Sequence, residues 1–181
     1  MDYQEFIIAN AIRSDAGALL SKVGSVLTAA RGAQVRIIHV MVGFRPGFPE
    51  ASPRNEFFTN MTRAEALQGP GGSIHPAVAP HEREVTITRH RAGAFSGTDL
   101  DMILRANDID TLVLMGISTS GVVLSTVRHA ADADYRMVVV SDACADADPA
   151  VHACLMDKVY PRQARVVVAA DVIHALGTGS A

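Results

Sequence analysis

The chain has no tryptophan, only two cysteines, and aromatic side chains at 5% of its residues. So few aromatics supply no stacking surface for sugars or nucleobases. Two thiols, Cys144 and Cys154, are too few for a disulfide framework and suit reduced core positions instead. Charge is nearly balanced, with a formal net of -3. That leaves no electrostatic footprint for nucleic acid or an anionic membrane. No apolar run is long enough to span a bilayer, and no basic-then-apolar leader opens the sequence. A cytoplasmic protein that binds neither nucleic acid nor membrane is expected.

What is present is apolar: 49% of the 181 residues are hydrophobic, enough for one domain over 1–181 with a real core. Helix and strand patterns alternate, the mark of a parallel sheet covered by helices on both faces. Ala16, Leu19, Leu20, Val23, Val26, Leu27 and Ala30 recur at helical spacing, with Ser14 as N-cap and Gly32 as stop. Strands are expected at 35–42, 84–88, 111–115, 136–141 and 165–169. Helices are expected after Thr98, from Gly121 or Val122 to about 133, and from Pro149 onward. Residues 43–72, with Pro46, Pro49, Pro53 and Pro70, read as a long loop with one short helix near 62–67. Such loops are usually lids or binding surfaces. The end of the chain, 177–180, reads as mobile.

The most informative stretch is 111–126, TLVLMGISTSGVVLST. A buried strand runs into a turn of Gly, Ser and Thr, and a helix then opens. Backbone N–H groups and a positive dipole end are gathered at one point, where developing negative charge can be held. At the place where a nucleophile would profit most stands Val122, which offers no nucleophile, acid or base.

Four motifs resemble those of the isochorismatase-like superfamily, the cysteine hydrolases that include nicotinamidases and carbamoyl-group hydrolases. Gly116-Ile117-Ser118-Thr119-Ser120-Gly121-Val122-Val123 is similar to its nucleophile turn, with Val122 at the Cys position. Arg89-His90-Arg91-Ala92-Gly93-Ala94-Phe95-Ser96-Gly97-Thr98-Asp99-Leu100 resembles its K-x-R-x-x-A-F-x-G-T-x-L pattern, with Arg89 at the catalytic Lys. Asp2-Tyr3-Gln4-Glu5-Phe6 looks like the D-x-Q-x-x-F context of its catalytic Asp, and Asp142-Ala143-Cys144-Ala145-Asp146 like the run after the next strand. The resemblance implies a three-layer α/β/α, Rossmann-like, mostly parallel sheet of about five to six strands. It also implies a homodimer or larger homo-oligomer.

Carried onto this chain, the resemblance puts acid–base work on Asp2 and anion binding on Arg89, whose guanidinium stays protonated. Oxyanion donors would be the backbone N–H groups of Ser118 and Val122, beside a cis peptide bond at Ile117 and Ser118. Phe44, Arg45 and Phe95 would line the substrate pocket. No cofactor is implied. The metal cluster of the nicotinamidase branch is not matched at 39–46, and the other histidines lack ligand spacing. One branch, the isochorismatases proper, also works without the Cys. Against these roles stand plainer ones: Asp2 as a frayed terminal carboxylate, Arg89 as a solvated surface charge, Phe95 as core, Cys144 as a buried thiol.

The resemblance implies that Asp2 closes a first, central strand, yet only one residue precedes it. A first strand missing from the N-terminus is therefore expected, because an unpaired central gap would expose backbone groups and core. The function expected is a Cys-independent hydrolase acting on a small carboxylate, amide or vinyl ether. The rivals are a retired scaffold that only binds a small molecule, and an assembly subunit.

Overall fold

The computed structural model describes residues 1–12, 16–61, 67 and 72–178. The expected cap Ser14, nearly all of the expected helix at 62–67 and residues 179–180 of the chain's end lie outside them. Among the described residues, five strands form the middle layer: β1 (Ile38–Val42), β2 (Val85–Arg89), β3 (Thr111–Leu114), β4 (Arg136–Val140) and β5 (Arg165–Val167). Every pairing is parallel, in the order β1-β2 and β3-β4-β5, with Val40 beside Ile87, Leu112 beside Met137 and Val139 beside Val166. The strands are rich in Val, Ile and Leu because helices cover both faces.

The two groups are joined by residues 1–3. The Asp2 N–H donates to Val40 O at 2.7 Å on the β1 side. On the β3 side the Met1 ammonium donates to Met115 O at 2.9 Å, and the Ile117 N–H donates to Met1 O at 3.2 Å. Residues 1–3 thus run between β1 and β3, bonded to both sides. Counting them first, the spatial order is 3-2-1-4-5-6, a doubly wound sheet. Upstream of Met1 along that line the middle layer is open, a cavity of about 270 Å³.

Helix α1 (Glu5–Ala11) follows the joining segment, and α2 (Ala16–Gly32) covers one face with Leu19, Leu20, Val23, Val26, Leu27 and Ala30 buried. α3 (Glu56–Met61) lies inside the stretch expected to be loop. The other face is covered by α4 (Leu100–Ala106) and α5 (Leu124–Asp132). After β4 come α6 (Pro149–Cys154), capped by Asp148 through the Ala150 N–H, and α7 (Ala169–Thr178), which packs on α2. α7 carries the chain through Gly177 and Thr178, which were expected to be mobile. Among the described residues, no helix is long and apolar enough to cross a membrane.

Strand β1 begins at Ile38, three residues later than the apolar run 35–42 suggests, where its pairing with Val85 of β2 begins. α2 is tied to the sheet by charge. Arg31 grips Glu84 with two bonds, at 2.8 and 2.9 Å, and His39 Nε2 meets the same carboxylate at 2.8 Å. Gly116 is required by a close approach, since a Cβ there would lie 2.9 Å from Met1 O.

Candidate functional site

Parallel strands deliver their C-terminal ends to one edge, and ligand sites of doubly wound sheets form there, at the point where strand order reverses. In this chain that point lies between residues 1–3 and β3. Asp2 stands on the joining segment with a positive φ of 58°, which turns the chain out of its extended path toward α1. Arg89 is the last residue of β2. Its Nε donates to both carboxylate oxygens of Asp2, at 3.1 and 3.0 Å, Nη2 donates to Oδ2, and Nη1 donates to Arg91 O. The pair is buried, Asp2 at 1% exposure and Arg89 at 4%. Asp2 is therefore not a frayed carboxylate, nor Arg89 a surface charge.

Gln4 holds this arrangement in register. Its side-chain amide donates to Val42 O at 2.9 Å and accepts from the Val42 N–H at 2.8 Å. It satisfies backbone groups at the end of β1 that the departing chain no longer reaches. Sequence reading quoted Gln4 inside a motif and gave it no role; a buried amide beside a strand end was the available signal.

Beyond β3 the Ile117–Ser118 peptide bond is cis. Helical structure opens at Thr119, as a π-helical turn over Thr119–Val123, and not at Gly121 or Val122. The turn starts early because its first N–H groups find acceptors outside the helix. Thr119 donates to Ala145 O at 2.8 Å and Ser120 to Asp146 Oδ2 at 2.7 Å, while Gly121 and Val123 both donate to Ser118 O. The N–H groups of Ser118 and Val122 are not spent on those partners. Val122 itself is 1% exposed and packs in the core with Phe95, Val123 and Cys144. It is the fourth helical residue, not the first.

Thr119 is braced by groups that sequence reading passed over. Its Oγ1 lies 2.8 Å from His152 Nδ1 on α6, and the buried Tyr160 hydroxyl donates to its carbonyl at 2.6 Å. Burial lowers the His152 pKa and raises that of Tyr160, so the imidazole is favoured neutral and the phenol intact. No motif carried these residues; only the tertiary packing of α6 brings them in.

Cys144 is buried, and burial pushes its thiol up to about 12. It stays protonated at neutral pH, the reverse of a nucleophile. Cys154 is exposed on α6, not in the core where it was expected. The expected pocket residues divide. Phe95 is core, stacked on His129 at 4.5 Å between ring centroids. Phe44 is buried in a separate cluster with Phe58 and Leu67, with the His90 ring at 6.2 Å. Arg45 turns outward, its side chain 69% exposed and paired with Glu50. Among the described residues, no three His, Cys, Asp or Glu side chains gather closely enough to hold a metal ion.

The structure therefore brings together Asp2, Arg89 and, through the Met1 carbonyl, the Ile117–Ser118 turn. It leaves Arg45 outside.

This arrangement has relatives. An uncharacterized isochorismatase family protein, YecD of Escherichia coli O157:H7, is 40% identical over 103 residues, 56% of this chain and 55% of that one. A ureidoacrylate amidohydrolase of Methylorubrum extorquens is 31% identical over 150 residues, 75% of this chain and 60% of that one. The matched stretch thus spans less than two thirds of each relative's length. An isochorismatase family protein of Burkholderia thailandensis, known by structure, superposes with a TM-score of 0.83 at 30% identity, covering 97% of this chain and 92% of that one. A model of the isochorismatase domain matches residues 1–171. The chain belongs to the isochorismatase family.

Proposed function

We propose that the protein is a hydrolase of small amides that works without a cysteine nucleophile. The observation that carries this reading is the buried Asp2–Arg89 pair at the sheet's switch point, beside the cis Ile117–Ser118 turn. The amidohydrolase among its relatives supports the amide as substrate class. Asp2 takes a proton from water as the water oxygen bonds to the substrate carbonyl carbon. The carbonyl π electrons move onto oxygen, where the Ser118 and Val122 N–H groups receive the charge. Collapse of that adduct breaks the C–N bond, and the proton on Asp2 passes to the leaving amine. Arg89 holds the carboxylate in place and balances charge throughout.

A second reading is favoured by one specific observation. Asp2, Arg89 and Val122 are all nearly inaccessible, and the guanidinium is already spent on Asp2. A scaffold that has lost turnover and keeps only a ligand site fits that closure. Steady-state turnover of amides, carbamates and vinyl ethers separates the two. The first reading requires turnover that disappears in Asp2→Asn; ligand-dependent stabilisation without turnover establishes the second.

A further inference from the structure

We propose that His152 is a positioning residue: through the Thr119 hydroxyl its imidazole sets the turn of residues 118–123, and it releases that turn on gaining a proton. The role rests on the hydrolase reading above, in which this turn receives the oxyanion, and it extends that reading to a residue that never touches substrate.

Thr119 is where the turn is held. It follows the Ile117–Ser118 peptide bond and opens the helical run that continues through α5. It is fully buried, and each of its polar atoms is engaged from another element. The N–H donates to Ala145 O at 2.8 Å, beyond β4. The carbonyl accepts from the Tyr160 hydroxyl at 2.6 Å and, within the helix, from the Leu124 N–H. Oγ1 lies 2.8 Å from His152 Nδ1 on α6. The neighbouring Ser120 N–H donates to the Asp146 carboxylate at 2.7 Å. Inside the turn there is no slack, since a Cβ at Gly121 would lie 2.6 Å from Ser118 Oγ. A shift of Thr119 therefore carries Ser118 and Val122 with it.

Of the groups that hold Thr119, the imidazole is the one that changes state near neutral pH. The Ala145 bond joins backbone groups, and burial raises the Tyr160 phenol out of that range. The Thr119 hydroxyl hydrogen has no other acceptor among the described residues. Neutral His152 therefore accepts it at Nδ1 and carries its own hydrogen on Nε2. An added proton lands on Nδ1, which must then donate to Oγ1. The buried Thr119 hydrogen is left without an acceptor, an unfavourable state that a movement of Thr119 relieves.

The surroundings set which form prevails. Burial lowers the His152 pKa, while Asp146 from the stretch after β4 and Asp157 from the helical turn 155–159 oppose it. On α6 itself Asp148 is engaged with the Ala150 N–H. On α5, Arg128 is bonded to Gln163 and acts on Tyr160. A charged imidazole would also draw on Asp146, the carboxylate that holds Ser120, and so loosen a second hold on the turn.

Heteronuclear NMR of the full chain from about pH 8 to about pH 5 follows the His152 ring and the amides of Ser118, Thr119, Ser120 and Val122. Those amides should shift with a single midpoint, that of the His152 ring, below the ordinary histidine value. His152→Asn keeps an acceptor near the place of Nδ1 but does not titrate, and should leave the amides without that transition. His152→Leu removes the acceptor and should displace them at every pH. In turnover of small amides, kcat of the natural chain should fall with the same midpoint while KM holds. His152→Leu should lose about 10- to 100-fold in kcat; His152→Asn should recover most of that loss and lack the limb at that midpoint. A merely structural brace would lower the thermal midpoint in both variants and move neither the pH profile nor the balance of kcat against KM. The proposal is overturned if the turn amides do not titrate with His152, if they keep their positions in His152→Leu, or if His152→Asn retains the limb. Should His152→Leu fail to fold, the titration of the natural chain and of His152→Asn still decides. Absence of turnover in the natural chain would sink the hydrolase reading, whereas the coupling of His152 to the turn is read from the amides without substrate.

Discussion

Asp2 and Arg89 show what a buried ion pair demands of a substitution. Taking two charges from water is costly, and removing one partner leaves the other uncompensated, at about 3–5 kcal/mol. Asp2→Asn should therefore lose about 100- to 10,000-fold in kcat for any hydrolysis and also lower the thermal midpoint, so its rate must be measured where circular dichroism shows it folded. Arg89→Lys keeps the charge and introduces a group able to give up a proton. It should retain more of the fold than Asp2→Asn, read as the smaller drop in midpoint. At the two thiols the account expects a clean division. Iodoacetamide should label the exposed Cys154, spare Cys144, and leave turnover unchanged; mass spectrometry locates the label. Asp2 and Arg89 were legible because each opens a recognisable motif. His152, Tyr160 and the backbone role of Gln4 were not, because their partners are supplied by packing between distant elements.

Among the elements, the link from α2 to β1 and β2 is sensitive to acid. Arg31 holds the Glu84 carboxylate down at about 2, below its ordinary 4.5, so the fold favours the ionised form. Burial lowers His39, so the fold favours its neutral form. Both shifts have one sign: the native state binds fewer protons than the unfolded chain. Stability should fall as pH drops through about 6.5 for His39 and again from 4.5 toward about 2 for Glu84. Urea titrations from pH 8 to 3 measure this, and Glu84→Gln should flatten the lower limb. Gly116→Ala should lower the thermal midpoint, because its Cβ would press on the Met1 carbonyl at 2.9 Å. All five strands were legible from β-branched runs, but β1 starts late, where its pairing with Val85 of β2 begins. α1, α3 and α7 were not legible: short helices have weak periodicity and owe their stability to what they pack against. The π-helical start at Thr119 was hidden for a similar reason, since its external acceptors, Ala145 and Asp146, come from beyond β4.

For the whole molecule, the doubly wound sheet places the Asp2–Arg89 pair at the reversal of strand order, and the same place is where the sheet is open. The alternation of patterns and the four motifs made this architecture legible. The closure of the site over Asp2, Arg89 and Val122 was not legible, because burial is set by the packing of every layer together. The central claim is hydrolysis without a thiol. Its most direct test is the rate of ammonia release from a panel of small primary amides by iodoacetamide-treated protein, beside its Asp2→Asn variant. The account predicts a rate equal to that of untreated protein and at least a hundredfold above the variant's; complete inactivation by the reagent, with protection by substrate, would contradict it.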